Sequence, residues 1–400
     1  MRRTAPKART SVPPEDKPPR FARPTRIASV VFALVLLAVT ARSYTSRQHS
    51  DVSDGLASRD DVSDHEPTSA ASANDGDQTF PTVEPSQAAR IAFLFLTRGP
   101  LPLAPLWERF FQGHEGYYSV YVHASDPSFA FPPGFSPTFR DALIPGGKVV
   151  WGDFSMVAAE RKLLAAAFVD PRNAFFALAS ESCIPVWPFT YVYSYIASAN
   201  VSLLDAHHDQ YEMAFHRYER WKLEPVIRKK DFVGGSQWFV LRRRHVAMIM
   251  KDSAHYLAHQ RSCQFRMKTG SRFCCADEHY VQVLLHMYDP VGISRYPTTF
   301  ADWSLAEWHP KLFVAENVTT DLITSIKSSK QFVSYRNFWK DFQSNYSYIE
   351  DPSLPQPERS PSNGFCSING LPRNCFLFAR KFDESTIEFL LDHCKELLGF

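Results

Sequence analysis

Short apolar runs alternate with segments of helical periodicity from Arg90 onward. The first run, residues 91–96 (IAFLFL), is apolar at every position, which is typical of a strand covered on both faces. Strands that alternate with helices predict an α/β fold with a mixed, mainly parallel sheet flanked by helices. The predicted strands are 91–96, 118–122, 149–151 and 174–179, and the predicted helices are 103–111, 156–168 and 189–199.

Sheets of this kind bind their ligands at the carboxyl ends of the strands. This rule groups Thr97, Arg98, His123 and residues 180–183 around one predicted crevice. Neither G-x-G-x-x-G nor G-x-x-x-x-G-K-[ST] occurs in the chain. The sequence therefore argues against the usual dinucleotide-binding fold and against a P-loop.

The second half of the chain is less regular. Gly234 and Gly235 precede a predicted strand at 236–241, and paired glycines there indicate close approach of the backbone to a ligand or a neighbouring strand. A helix through Met250 follows. Near the end, residues 375–383 (CFLFARKFD) combine a strand with two cations, and an amphipathic helix through Leu398 closes the chain.

The stretch 274–288 (CCADEHYVQVLLHMY) is the best candidate for chemistry. As a helix it would bury one face, on which Glu278 also lies. That apolar face consists of Val281, Leu284, Leu285 and Tyr288. Asp277 is a favourable N-cap, which would put Glu278 in the first turn as an inward-facing carboxylate suited to a general base. The alternative is that both acids simply begin a helix.

The amino-terminal part predicts a membrane-anchored organisation. Residues 1–26 are basic and rich in proline, as in a disordered cytoplasmic tail. Residues 27–41 form an uninterrupted apolar run, short for a spanning helix and similar to the core of a signal peptide. The long basic leader favours a retained anchor with the carboxyl-terminal part in the lumen. Residues 42–89 are polar and predict a flexible stem.

Sequons and cysteines agree with a lumenal location. Asn200, Asn317 and Asn345 each begin an N-x-[ST] sequence, the acceptor of N-glycosylation. The chain has seven cysteines, and an oxidising lumen permits disulfides among them. Cys183 lies in an apolar stretch and is the one expected to be free, with the bridges formed among Cys263, Cys274, Cys275, Cys366, Cys375 and Cys394.

Charge and metal-binding patterns argue against two classes of function, nucleic-acid binding and catalysis at a metal-diphosphate site. The 44 Lys and Arg against 42 Asp and Glu give no global field for binding nucleic acid. The one D-x-D sequence, Asp75-Gly76-Asp77, lies in the stem, where a metal-diphosphate site is implausible. A metal-dependent hydrolase remains a rival reading, but neither candidate ligand set has a full zinc spacing. Those sets are Cys275, Glu278 and His279, and Asp205, His207, His208 and Asp209.

Seven motifs in order resemble glycosyltransferase family 14, the core-2/I-branching β-1,6-N-acetylglucosaminyltransferase-like proteins, in the branch abundant in plants. They are IAFLFLTRGPLP, VVWGDFSM, ALASESCIPVW, GGSQWFVLRRRH, CCADEHYVQVLL, TFADW and CFLFARKF. The resemblance covers about residue 90 to the end, and it implies a GT-A-like lumenal catalytic domain over residues 90–400. It further implies a type II Golgi membrane protein that transfers a sugar from a UDP-sugar with inversion and without a divalent metal or other cofactor.

The resemblance also implies roles for individual residues. The family's Asp-Glu pair falls on Asp277 and Glu278, which makes Glu278 the base that takes the proton of the acceptor hydroxyl. The family's aromatic residue at the acceptor falls on Trp303, and its diphosphate-neutralising lysine falls on Lys381. We therefore expect Asp277 and Trp303 on the acceptor side, and Lys381, Arg380, His123, Thr97 and Arg98 on the donor side.

Two features depart from the family pattern. The diphosphate-binding arginine has two candidates, Arg359 and Arg373, and the acidic residue after the second strand is His123 in this chain. The donor therefore stays open: N-acetylglucosamine leads, and xylose and glucuronic acid are alternatives because the family includes such transferases. A lumenal protein that binds glycans without turnover is the other rival.

Overall fold

A central four-stranded sheet carries the first half of the chain. In the computed structural model, which describes residues 88–207, 217–268, 274–305, 309–331 and 365–400, its strand order is β2-β1-β3-β5. The strands are β1 (Arg90–Thr97), β2 (Tyr118–Ala124), β3 (Asn173–Ser180) and, after the short β4 (Ile184–Pro185), β5 (Val240–Arg242). β1 runs parallel to β2 and β3, whereas β5 is antiparallel to β3. The predicted mixed, mainly parallel sheet is confirmed.

Burial on both faces explains why β1 is apolar throughout. Phe93 and Phe95 point into one core, and Leu94 and Leu96 point into a second core on the opposite face. Trp107 packs edge-on against Phe93 and Phe95 and donates its indole N–H to the carbonyl of Cys183 at 3.0 Å. Aromatic residues thus fill the first core, and helices cover both faces of the sheet.

The helices follow the predicted pattern in the first half. The first four helices are α1 (Ala104–Phe111), α2 (Pro137–Arg140), α3 (Ser155–Phe168) and α4 (Phe189–Ser198). Later come α5 (Arg220–Leu223), α6 (Arg243–Lys251), α7 (Ala254–Lys268), α8 (Tyr280–Tyr288), α9 (Thr320–Ser328) and α10 (Ile387–Asp392). Short 3₁₀ turns occupy Lys229–Asp231, Ala276–Glu278, Ala315–Asn317 and Glu384–Thr386, and a π-helical turn occupies Cys394–Leu398.

A second sheet brings the end of the chain back to the first half. Its order is β4-β9-β6, with β6 at Thr299–Ala301 and β9 at Phe378–Arg380. β9 is antiparallel to β4 and parallel to β6, so the carboxyl ends of β6 and β9 lie side by side. The amide of Phe382 donates to the carbonyl of Ser182 at 2.9 Å, which ties the segment after β9 to the turn after β3. A small hairpin, β7 (Ser367–Ile368) and β8 (Leu371–Pro372), precedes β9.

Two disulfides form, Cys263–Cys274 and Cys366–Cys375. Cys183 is free and buried, as expected from its apolar context. Cys275 and Cys394 are also free and buried, so the expectation that they join the bridges is wrong for these two. Neither Cys275 nor Cys394 is bonded to another cysteine.

Three local predictions differ from the structure. Residues 149–151 do not form a strand, because the backbone here forms hydrogen bonds outside any sheet. The Val150 amide donates to Ser155 Oγ at 3.0 Å, and the carbonyl of the next residue but one, Gly152, accepts from the Cys274 amide at 2.8 Å. The strand predicted at 236–241 is regular only in β5. Tyr288 was predicted to lie on the buried face of α8, but it is 60% exposed because the helix ends at this residue.

The predicted cytoplasmic tail (1–26), anchor (27–41) and nearly all of the stem (42–89) lie outside the described residues. Within the ranges that the structure describes, no helix has the length and apolar content needed to cross a bilayer. The described residues belong to one unit that spans Asp75–Phe400.

Gly235 is required by a close approach of two backbone segments. A Cβ atom at this position would lie 1.9 Å from the carbonyl oxygen of Asp205. We therefore expect Gly235→Ala to lower the free energy of unfolding by about 3 kcal/mol, as overpacked sites do. Denaturant unfolding measures this loss. Gly113→Ala is the control, because Gly113 has a φ of +77° in open space and loses only about 1 kcal/mol from its left-handed backbone; equal losses would contradict the prediction.

Candidate active site

The candidate base lies on a tight turn that precedes α8. Ala276–Glu278 forms a single 3₁₀ turn, and Cys275 before it has a φ of 47° in the left-handed region. The amides of Cys274 and Cys275 donate to the carbonyl of Gly152 at 2.8 and 3.1 Å. The prediction that Asp277 caps the helix is wrong: the N-cap of α8 is His279, and no side chain caps it. The left-handed residue ends the previous segment and delays the helix by one turn.

Arg217 holds the carboxylate of Glu278. The Arg217 guanidinium forms an ion pair with Glu278 Oε2, and its Nη1 also lies 3.4 Å from His279 Nε2. His279 Nδ1 lies 2.9 Å from the carbonyl of Val233, which fixes Nδ1 as the donor and leaves Nε2 to accept from Arg217. Burial and then the charge of Arg217 lower the pKa of His279, so the ring is neutral. Glu278 itself is 30% exposed at the side chain, which leaves it reachable by a substrate.

A strap of four residues, 235–238, connects this turn to the cations at the end of β9. The Gly235 amide donates to the Glu278 carbonyl at 3.0 Å, and Gln237 Nε2 donates to Glu160 Oε1 at 2.7 Å. The Arg380 guanidinium lies 4.2 Å above the ring of Trp238. Three residue steps span at most about 11 Å, so a short backbone segment joins the Glu278 turn to the residue on which Arg380 stacks.

Four basic side chains cluster where β1, β3 and β9 end. Burial lowers the pKa of His309, and Lys381, Arg380 and Arg98 lower it further in that order. Burial and then Arg380 likewise lower the pKa of Lys381. Glu181 is the acid nearby, with Oε1 4.0 Å from Arg98 Nε. The strand ends therefore carry a basic cluster that can accept an anionic group.

The acidic and basic sides of the site interact directly. Burial and the charge of Glu278 raise the pKa of Asp277 to about 7, whereas Arg217 and Arg380 oppose this rise. Arg380 is half-buried, and this burial lowers the pKa of its guanidinium despite the neighbouring acids. Asp277 and Arg380 are thus close enough for their charges to interact.

His123 and Thr97 lie at the carboxyl ends of the parallel strands, as predicted from the topology. Thr97 is buried, and its hydroxyl donates to the carbonyl of Gly99 at 3.2 Å. His123 is fully buried, and neither ring nitrogen has a hydrogen-bond partner. Burial and then Lys162 lower its pKa. A Cβ on Gly147 would lie 4.0 Å from His123 Nε2 and 2.9 Å from Lys162 Nζ, so this loop passes beside both side chains.

The remaining predicted residues fall in different places. Trp303 follows β6 and is half-buried, beside the parallel β9 that carries Arg380. Asn200 and Asn317 are exposed, and Asn345 lies outside the described residues. Of the two candidate arginines, Arg359 also lies outside, whereas Arg373 interacts with Tyr195, whose pKa burial raises and Arg373 lowers.

Metal ligands do not converge in the part of the chain that the structure describes: no group of three His, Cys, Asp or Glu side chains is arranged to hold an ion. Asp205 and His207, from one proposed ligand set, instead pair with each other, with Oδ1 and Nε2 at 2.9 Å. His208 and Asp209 lie outside the described residues.

Sequence reasoning missed three residues that shape the site. Arg217 and Glu160 are isolated charged residues that belong to no recognisable motif. The residues around them therefore gave no indication that either lies near the Glu278 turn. Gln237 lies in the GGSQW segment, and the paired glycines before it were the available signal. The two glycines predicted a close approach of the backbone, but they did not predict the hydrogen bond from Gln237 to Glu160.

Comparison with known proteins identifies the family. The family described as "Branch: Core-2/I-Branching enzyme" matches residues 91–327, more than half of the chain. The chain belongs to the core-2/I-branching enzyme family. The chain is also 32% identical over 336 residues to "Glycosyltransferase BC10" of Oryza sativa subsp. japonica. The aligned region covers 77% of each protein.

Membership establishes the general activity. This core-2/I-branching enzyme is a glycosyltransferase, and its substrates are a sugar donor and a glycan acceptor. The matched range contains the Glu278 turn and Trp303, whereas β9 with Arg380 and Lys381 lies beyond it. The rice relative fits the predicted resemblance to the branch found in plants.

Proposed function

We propose that this core-2/I-branching enzyme transfers a sugar from a UDP-sugar to a glycan hydroxyl with inversion, with Glu278 as the general base and without a divalent metal. The proposal rests chiefly on one observation: Asp277, which precedes Glu278, and Arg380, which precedes Lys381, are close enough for each charge to influence the pKa of the other. An inverting displacement needs these two parts on opposite sides of the anomeric carbon.

The surroundings of Glu278 support its role on the acceptor side. Its carboxylate is partly exposed, and the backbone around it is held by hydrogen bonds to Gly235 and Gly152. Arg217 fixes one carboxylate oxygen, which leaves the other to accept a proton. Trp303, which follows β6, offers an apolar surface to a sugar ring.

Fixed cations support transfer without a metal ion. The departing UDP carries negative charge on its diphosphate, which either a divalent ion or positively charged side chains can stabilise. Lys381, Arg380 and Arg98 supply such charge at the strand ends, and Lys381 is the one expected to contact the leaving diphosphate. His123 and Thr97, at the ends of the first two parallel strands, would line the nucleotide side.

N-acetylglucosamine is the leading donor sugar that we propose, with xylose and glucuronic acid as alternatives, since His123 replaces an acid that the family resemblance implies near the nucleotide. The basic leader and apolar run of residues 1–41 support a Golgi type II membrane protein with a lumenal catalytic part. The exposed sequons at Asn200 and Asn317 are consistent with glycosylation there.

A panel of UDP-sugars tests the proposal, with UDP release measured in the presence of a glycan acceptor library. We expect one donor to be turned over by the wild type, with the rate in EDTA within about twofold of the rate in added Mn²⁺. A rate that disappears in EDTA and returns with the ion would contradict metal independence. Absence of turnover with every donor, together with glycan binding, would instead favour a lectin-like protein.

A further inference from the structure

A tryptophan ring lies against one of the cations at the end of β9. The Cζ atom of Arg380 is 4.2 Å from the centroid of the Trp238 ring, within the distance at which an aromatic face attracts a cation. Trp238 is 6% exposed, so the ring itself is held by the surrounding protein. A guanidinium stacked on a buried ring loses much of its freedom to move, which makes Arg380 a fixed cation.

The strap 235–238, which carries Trp238, is anchored along its length. The Ser236 amide donates to Asp205 Oδ2 at 2.9 Å, and the Ser236 carbonyl accepts from Gln282 Nε2 at 2.9 Å. The residues on either side are held by the hydrogen bonds to the Glu278 turn and to α3 described above. The protein therefore sets the position of the Trp238 ring before any ligand binds.

The segment that pairs with β9 leaves the charge of Arg380 uncompensated on that side. β4 is antiparallel to β9, with Ile184 opposite Ala379, so the register puts Cys183 opposite Arg380. Cys183 is 1% exposed, and its Sγ accepts from the Ser180 amide at 3.3 Å. Burial raises the pKa of the Cys183 thiol, so this neighbour carries no negative charge.

Arg380 keeps the capacity to bind an anion. Its Nε atom is buried and has no hydrogen-bond partner among the residues that the structure describes. Glu181, the acid nearby, forms its ion pair with Arg98, with Oε1 4.0 Å from Nε. A buried donor of this kind calls for an acceptor. The oxygens of a diphosphate suit the planar fork of a guanidinium, and Lys381 adds an ammonium at the next position.

We propose that Trp238 is a positioning residue, whose ring holds Arg380 at the end of β9 for the diphosphate of the donor. This inference rests on the proposed function, because that function assigns the donor a diphosphate. The strap then has two tasks, since its first residue bonds the Glu278 turn and its last residue carries the ring under Arg380. One short backbone segment thereby positions the proposed base and a proposed donor cation.

A double-mutant cycle of Trp238 and Arg380 tests the inference, with kcat/KM for the donor as the measurement. Trp238→Leu removes the aromatic face and should lower kcat/KM about tenfold, as loss of a desolvated cation–π contact does. Trp238→Phe keeps a ring and should stay within about threefold of the wild type. In the Arg380→Gln background, Trp238→Leu should cost less than about twofold more. Losses that multiply would overturn the inference, because a merely structural tryptophan acts whether or not Arg380 is present.

Trp221 offers a matched control. It also lies against an arginine, with Arg220 Cζ 5.9 Å from the centroid of its ring, but Trp221 is 85% exposed. Trp221→Leu should therefore keep the wild-type kcat/KM for the donor. An equal loss in Trp221→Leu would overturn the inference, since the effect would not be specific to the ring beneath Arg380.

Urea unfolding of the wild type, the two single variants and the double variant gives a measurement that does not depend on activity. If the ring holds the guanidinium, Trp238→Leu and Arg380→Gln should be coupled by about three- to tenfold in the unfolding equilibrium constant. Trp238→Met, with a long and adaptable side chain, takes the place of Trp238→Leu if the leucine variant does not fold.

The unfolding measurement separates the two proposals. If the wild type turns over no donor, the proposed function fails, and the coupling alone decides whether Trp238 holds Arg380. Absence of coupling in unfolding overturns the positioning role of Trp238 whether or not the enzyme is active.

Discussion

Glu278→Gln is expected to reduce kcat by about 10³-fold, within the range that general-base catalysis contributes. Glutamine keeps the size of the side chain and can still accept a hydrogen bond from Arg217, but it cannot take a proton from the acceptor hydroxyl. UDP release with the best donor and acceptor measures the loss. Because we propose that Glu278 acts on the acceptor, the affinity for UDP, measured by calorimetry, should stay within about twofold of the wild type.

The matched control is Glu224→Gln. Glu224 is another glutamate paired with an arginine, with Oε2 3.1 Å from Arg220 Nε, and its other hydrogen-bond partner is the hydroxyl of Tyr218. Its variant should turn over donor at the wild-type rate. A Glu278→Gln enzyme that keeps a tenth or more of wild-type kcat would remove Glu278 from the base role, and the far-ultraviolet circular dichroism must be unchanged for either result to count.

Local signals account for what the sequence predicted of the fold. The apolar run of β1 and the helical periods of α1, α3 and α4 are properties of adjacent residues, and these elements lie within one or two residues of their predicted bounds. The grouping of Thr97, Arg98 and His123 followed from the parallel order of the strands, which puts their carboxyl ends at one edge.

Long-range pairing accounts for what was missed. Arg217 and Glu278 are 61 positions apart in the chain, and Glu160 and Gln237 are 77 apart. No periodicity links residues at such separations, so neither contact could be predicted from composition or spacing. The start of α8 was misplaced for a different reason: the left-handed backbone of Cys275 breaks the helix, and a cysteine gives no warning of that conformation.

Lys381→Ala is expected to lower kcat/KM by about 10²–10³-fold, the loss typical of removing one electrostatic contact to a charge that develops in the transition state. Lys381 follows β9, is half-buried, and lies next to Arg380, so an alanine leaves the diphosphate with less positive charge at its departure point. Steady-state kinetics of UDP release measure the effect. Lys395→Ala is the control, because Lys395 is an exposed lysine at the end of the chain.

The two variants together distinguish the sides of the reaction. Lys381→Ala should weaken UDP binding about tenfold or more, whereas Glu278→Gln should leave it unchanged, because we propose that Lys381 contacts the leaving group and that Glu278 acts on the nucleophile. Lys381→Arg keeps the positive charge and should recover part of the loss, although its planar group is less suited to the position of an ammonium. If Lys381→Ala bound UDP normally and lost no turnover, the fixed cations would not carry the diphosphate, and the case for transfer without a metal ion would lose its physical basis.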